Sequence, residues 1–208
     1  MQTDRLGAII LDLGGVLVDF DHRIAARRIA KFTDNEPEEV FDLFFDSELT
    51  RRFEAGKIQP ENFFFEVKKI LRADIEYREF LPIWNEIFFL SEKNHQVYRL
   101  AKFLRQKYRL ALLSNINTLH YQYLKKKFDV FDIFDNILAS CDLGLAKPDP
   151  LIYKKALDML GVMPRQAVYF DDRAELVEMA AGLGVRSFLF RDTEQFKKDL
   201  LACGIDIK

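Results

Sequence analysis

The stretch AIILDLGGVLVDFD, residues 8–21, decides how the chain reads. Its first four residues are apolar without alternation, the pattern of a strand buried on both faces. Asp12 ends that run, and Gly14 and Gly15 follow almost at once. Four later runs have the same character: YRLALLSN (108–115), NILAS (136–140), AVYFDD (167–172) and VRSFLF (185–190). Two of them also end in polar groups, Ser114 and Asn115 in one, Asp171 and Asp172 in the other.

Helical patterns separate these strands. In NHQVYRLAKFLRQKY (94–108), Val97, Leu100, Ala101 and Leu104 fall on one helix face. In DPLIYKKALDMLG (149–161), Asp149 suits an N-cap, Pro150 the first helical position and Gly161 the stop. AELVEMAAGLG and DTEQFKKDLLACG read the same way. Strands alternating with helices predict an α/β fold built on a doubly wound parallel sheet.

Residues 21–90 break the alternation. HRIAARRIAKF, PEEVFDLFFDSELTRRFEAG, PENFFFEVKKILR and YREFLPIWNEIFF succeed one another as helix-like segments, with no strand as convincing as those outside. Phe63, Phe64, Val67, Ile70 and Leu71 form an apolar stripe at helical spacing, the core of a small bundle. The expected organisation is a core of residues 1–20 and 91–208 with an all-helical domain, 21–90, inserted after the first strand.

Composition narrows the function classes. The 208 residues carry 31 Lys and Arg against 33 Asp and Glu, a formal charge of −2, which gives no electrostatic reason to bind nucleic acid or an anionic membrane. Cys141 and Cys203 stand far apart, without a CxxC or a Cys/His cluster, so neither a disulfide framework nor a structural zinc is expected. The start, MQTDRLGAIILDLGG, lacks the cationic opening and cleavage site of a signal peptide, and no apolar run reaches membrane-spanning length. A soluble cytoplasmic protein is the expectation. No signal for an oligomeric state is present.

Parallel strands place their carboxyl ends along one edge, where open α/β sheets bind ligands. That gathers Asp12, Ser114, Asn115, Asp171 and Asp172, and Lys147 in GLAKPDP precedes a helix start from which it can join them. Three carboxylates repel one another, and Mg²⁺, which takes a few carboxylates with water and phosphate oxygens, answers that repulsion. Lys147 and the Ser114 hydroxyl then face an anion, and Asp12 can attack phosphorus to form an aspartyl-phosphate. The set reads as a magnesium-dependent phosphoryl-transfer site.

The chain resembles the haloacid dehalogenase superfamily, in the branch with a helical cap inserted after the first motif. Four motifs carry the resemblance in order: LDLGGVLVD, LLSN, LGLAKPDPLIY and VYFDDRAELVEMAAGLG. The resemblance implies a Rossmann-like core with Asp12 as nucleophile and metal ligand and Ser114 on the transferring phosphoryl group, and Asn115 beside it is a further candidate for phosphate binding. It implies Lys147 as the neutralising cation, and Asp171 and Asp172 as holders of Mg²⁺. Asp172 is the first choice for direct metal contact and Asp171 for direct or water-mediated support, with the reverse order open.

Family phosphatases carry DxD, whose second Asp protonates the leaving oxygen and later activates water. Here that position is Gly14, which keeps the backbone carbonyl that the family uses as a metal ligand and drops the acid. Losing a general acid/base typically lowers a rate by about 10²–10⁴. Enhancements in phosphate monoester hydrolysis can approach about 10²¹, so activity can survive. The expected bias is toward anomeric sugar, acyl or aryl phosphates, and Gly14→Asp is expected to help poor leaving groups if the carboxylate fits.

Asp19 and Asp21 read as structural or capping residues, and His22, His95 and His120 show no metal-like spacing. Arg51, Arg52 and Glu54, from the cap, are candidates for contact with the leaving group. The expected function is therefore hydrolysis of a small phosphorylated metabolite. Two alternatives stand beside it: hydrolytic dehalogenation of 2-haloacids, which would leave the Asp171–Asp172 pair unexplained, and a silent binding protein on the same fold, which only Gly14 supports.

Overall fold

Strand β1 (Ala8–Leu11) lies at the centre of a five-stranded sheet in the computed structural model, which describes residues 5–207 apart from the Asp46 side chain. Residues 1–4 and 208, assigned to the core from sequence, lie outside the described residues. After β1 come β2 (Asp19–Phe20), α1 (His22–Ile29), α2 (Pro37–Asp46), α3 (Glu48–Glu54), α4 (Pro60–Leu71), α5 (Tyr77–Asn85) and β3 (Phe88–Phe89). The chain then alternates through α6 (Glu92–Leu104), β4 (Arg109–Ser114), α7 (Thr118–Lys127), β5 (Asn136–Ala139) and α8 (Ser140–Leu143). It ends with α9 (Pro150–Leu160), β6 (Ala167–Asp171), α10 (Ala174–Gly182), β7 (Arg186–Leu189) and α11 (Thr193–Ala202).

The sheet order is β5-β4-β1-β6-β7, and each pairing is parallel. The alternation of side chains along each strand feeds two apolar layers. Ile9, Leu11, Leu110, Leu112, Val168 and Phe170 meet Val97, Ala101, Leu124 and Phe196 on one face. Ala8, Ile10, Ala111, Leu113 and Tyr169 meet Ile152, Ala156, Leu160 and Ala180 on the other. That is the doubly wound sheet expected from the unbroken apolar runs. The Asp149 carboxylate accepts from the Leu151 N–H at 2.9 Å, and Gly161 closes α9 in the left-handed region at φ 63°.

Helices α1–α5 surround an aromatic core of their own. Phe53 stacks on Phe63 with centroids 4.2 Å apart, and Phe44 and Phe63 each lie 4.9 Å from Trp84. Burying each such ring contributes about 1.5–3 kcal/mol. Three details depart from the sequence reading. PEEVFDLFFDSELTRRFEAG is two helices, because Ser47 turns extended and its Oγ accepts from the Thr50 N–H at 3.1 Å. Ile70 is 53 % exposed, so the buried stripe of α4 is Phe63, Val67 and Leu71. Phe88 and Phe89, read as the end of a helix, pair antiparallel with Phe20 and Asp19. Two-residue strands are too short to show a period. Among the described residues no helix is long and apolar enough to cross a membrane.

Candidate active site

Strand register assembles the site. Leu11 of β1 is paired with Phe170 of β6, so the next residues, Asp12 and Asp171, emerge side by side. The Asp12 N–H donates to the Phe170 carbonyl at 2.9 Å, which prolongs the ladder by one bond. Leu11 also pairs with Leu112 of β4, which brings Ser114 to the same edge. Asp12 is 8 % exposed, Ser114 5 % and Asp171 wholly buried.

Lys147 crosses this edge. Its ammonium donates to Asp12 Oδ1 at 2.8 Å and to Asp171 Oδ2 at 2.6 Å, with its side chain 1 % exposed. Burial works to lower the Lys147 pKa, but the two carboxylates outweigh it and raise it, so the ammonium stays charged. Asn115 sets where this lysine stands. Its side-chain amide donates to the Lys147 carbonyl at 2.8 Å and accepts from the Lys147 N–H at 2.7 Å. Asn115 lines the cleft, yet its amide clamps the lysine rather than pointing free toward a phosphoryl group.

Both oxygens of Asp171 accept hydrogen bonds. Besides Lys147, its Oδ2 accepts from the Tyr169 hydroxyl, and its Oδ1 accepts from the Arg173 N–H at 3.0 Å. Asp172 is exposed at the cleft, with its carboxylate against Gly15. A Cβ on Gly15 would lie 2.1 Å from Asp172 Oδ2, and φ there is +69°, so glycine permits both the turn and the approach.

Carboxylate oxygens of Asp12, Asp171 and Asp172 lie within 4.8 Å of one another. Against one ammonium, three ionised carboxylates leave two negative charges uncompensated. Burial raises the Asp12 carboxyl to about 7, with Lys147 opposing and both neighbouring aspartates adding to the rise. Burial, then Asp171, raises Asp172 as well. Hard oxygen donors with surplus negative charge fit a divalent cation such as Mg²⁺.

The cleft over this group has a volume of about 450 Å³. Asp12, Gly14, Ser114, Asn115, Lys147 and Asp172 line it from the sheet edge, and Phe20, His22, Phe45 and Glu54 from the insertion and the strand leading into it. Of the three cap candidates, only Glu54 reaches the cleft. Arg51 is exposed and pairs with Glu48 at 3.4 Å, and exposed Arg52 borders a separate groove with Lys57 and Glu66. Arg173 also lines the cleft, with its guanidinium 2.5 Å from Glu175. The place of Arg173 directly after Asp171-Asp172 at a strand end is the sequence signal for this position, one that residue chemistry alone does not single out.

Asp19 and Asp21 have the structural roles expected. Asp19 accepts from Ser91 Oγ and Lys93 Nζ, both at 2.7 Å, and Asp21 caps α1 through the Arg23 N–H at 2.8 Å.

The pattern of haloacid dehalogenase-like hydrolases matches residues 6–184. A D-ribitol-5-phosphate phosphatase from Bacteroides thetaiotaomicron is 23 % identical over 198 residues, covering 92 % of this chain and 95 % of that protein. A phosphatase from Mycobacterium tuberculosis is 27 % identical over 188 residues, covering 88 % of this chain and 87 % of its own. Among solved structures, a HAD family enzyme from Bacteroides thetaiotaomicron in complex with magnesium and inorganic phosphate superposes with a TM-score of 0.78 at 26 % identity. That match covers 89 % of this chain and 94 % of the other.

Proposed function

This chain belongs to the haloacid dehalogenase-like hydrolases, and from that premise we propose that it is a magnesium-dependent phosphatase of small phosphorylated metabolites, with Asp12 as nucleophile. One observation carries the reading: the Lys147 ammonium bridges Asp12 and Asp171 while Asp172 stands within 4.8 Å, at strand ends that open into a cleft. The phosphatase relatives and the magnesium and phosphate complex of a similar enzyme support it.

Asp12, Asp171 and Asp172, with the Gly14 carbonyl, would hold Mg²⁺, which supplies charge neutralisation at the phosphoryl oxygens. A carboxylate oxygen of Asp12 attacks phosphorus in line with the leaving oxygen, forming an aspartyl-phosphate. Lys147 and the Ser114 hydroxyl donate to the phosphoryl oxygens as charge builds on them. Water then releases phosphate and restores Asp12. Asn115 acts through Lys147, by fixing its backbone from the position just past β4. The Cys141 and Cys203 thiols are free, which accords with a reducing compartment, the cytoplasm.

Phosphate release from sugar, acyl and aryl phosphates, with and without Mg²⁺, tests the reading. Metal-dependent release that vanishes in Asp12→Asn is expected. Chloride release from 2-haloacids without metal, or no turnover of any phosphate, would replace it with dehalogenation or a silent binder.

A further inference from the structure

Position 14 lacks a carboxylate, and a side chain there would meet the Phe20 ring, which would have to shift to admit one. A Cβ on Gly14 would lie 2.8 Å from Cε1 of Phe20. Phe20 is held there by pairing of its strand with Phe88 and by an edge contact on His22 at 5.3 Å.

Three other acid–base groups nearby are already engaged, and His22, whose Nδ1 has no hydrogen-bond partner among the described residues, has its pKa lowered by burial to about 4. Asp19 is tied to Lys93 and Ser91, and Asp21 to the start of α1. His120 donates from Nε2 to the Trp84 carbonyl at 2.9 Å, so its Nδ1 accepts from the Asn117 amide at 2.9 Å. Both ring nitrogens are therefore engaged.

Glu54 differs from all of these. It is the last residue of α3, and it lines the cleft with Asp12, Gly14 and Ser114. Its carboxyl makes no hydrogen bond or ion pair with any described residue, while the charges of Arg173, Lys147 and Asp12 act on it. Its backbone is fastened to the sheet edge. Ser140 Oγ donates to the Glu54 carbonyl at 2.5 Å and receives nothing less than a fixed place itself, since it also accepts from the Ile116 N–H at 2.9 Å. Two residues on, Gly56 packs so closely that a Cβ would lie 2.2 Å from the Cys141 carbonyl oxygen.

We propose that Glu54, reaching in from the helical insertion, is the proton donor and acceptor of this site in place of the acid that Gly14 lacks; the proposal rests on the phosphatase reading above. In the first step Asp12 bonds to phosphorus and the bond to the leaving oxygen breaks. Glu54–COOH gives its proton to that oxygen, releasing an alcohol. In the second step Glu54–COO⁻ takes a proton from water as the water oxygen bonds to phosphorus. The bond to Asp12 breaks, phosphate leaves, and Asp12 carboxylate and Glu54–COOH are restored. Burial raises the Glu54 carboxyl to about 7, against the pull of Arg173 and Lys147, which suits a group that must give and retake a proton near neutrality.

The test compares wild type and Glu54→Gln on benzyl, phenyl and p-nitrophenyl phosphate with saturating Mg²⁺. The expected loss on benzyl phosphate is about 100-fold or more, because its alkoxide cannot leave unprotonated. On p-nitrophenyl phosphate the first step needs no proton, so Glu54→Gln should release nitrophenolate in a burst equal to the enzyme concentration, then turn over slowly. Equal losses on the three esters without a burst would overturn the proposal. So would a benzyl phosphate loss below about threefold, or a wild-type rate that itself falls about 100-fold from nitrophenyl to benzyl ester. A changed Mg²⁺ requirement with unchanged leaving-group dependence would assign Glu54 to the metal and likewise overturn it. Absence of metal-dependent nitrophenolate release in wild type would instead overturn the phosphatase reading.

Discussion

The ring of Phe20 stands where a side chain on Gly14 would begin, with Cε1 2.8 Å from the Cβ position. The expectation that Gly14→Asp simply restores an acid therefore meets a packing obstacle. Because the Phe20 ring is 37 % exposed and can swing outward, Gly14→Asp alone should destabilise the protein by about 1 kcal/mol, the low end of the cost of overpacking. Adding Phe20→Ala should recover most of that loss. Urea denaturation of the single and double variants checks it, and equal stabilities would show that the ring moves aside freely.

Lys147 is the one cation within hydrogen-bond reach of Asp12 and Asp171 among the described residues. Lys147→Met leaves two buried carboxylates without it. Removing one partner of a buried ion pair costs about 3–5 kcal/mol. A loss of that order is expected in denaturant melts without divalent cation, together with loss of phosphatase activity. A melt within 1 kcal/mol of wild type, about the size of an exposed pair, would mean that the carboxylates relieve one another by taking up protons.

Cation binding should be visible without any substrate. A ligand bound only by the folded state stabilises it by about 2.7 kcal/mol at one hundred times its dissociation constant. Mg²⁺ should accordingly raise the wild-type melting temperature in calorimetry, and much less so that of Asp172→Asn. Identical Mg²⁺ responses would remove Asp172 from the metal site.

Two histidines in the helical insertion's interface give the fold an acid limit. Burial lowers His120 to about 3, helped by His22, and lowers His22 to about 4, with Asp21 opposing. An unfolded histidine titrates near 6.5, so the unfolded chain binds more protons than the native one below that pH. The stability is fully present above pH ~6.5 and is lost as pH falls through the window toward the folded values. Each histidine should steepen the decline by about 1.4 kcal/mol per pH unit between pH ~6 and pH ~4. Denaturant melts of wild type and His120→Gln across that range should differ in slope by one proton, and parallel curves would refute the assignment.

The sheet was legible because its strands are apolar without interruption, and the site because Asp12, Ser114 and Asp171 each follow such a run. What stayed hidden depends on approach between distant segments. Nothing in the sequence around Phe20 announces that its ring fills the space beside Gly14. Gly15 reads as a turn residue, and only the folded chain shows Asp172 against it. Arg51, Arg52 and Glu54 looked equivalent on one short helix. The rotation of α3 separates them: Glu54 turns inward, while the two arginines stay exposed. The chemistry of Asn115 suggests a phosphoryl contact, whereas its two bonds to Lys147 cross 32 residues of sequence.

The paired strands β2 and β3 are where the chain enters and leaves the helical insertion. Because the two passages are bonded to each other, they form one stiff strap instead of two independent tethers. Lys93 fastens its root by donating to both the Gly15 carbonyl and Asp19 at 2.7 Å. Any swing of the insertion must flex at that strap, and Phe20 is part of it. Glu54 is tied separately to the core through Ser140, so the insertion is pinned at two places, and opening the cleft requires that second tie to break as well as the strap to flex.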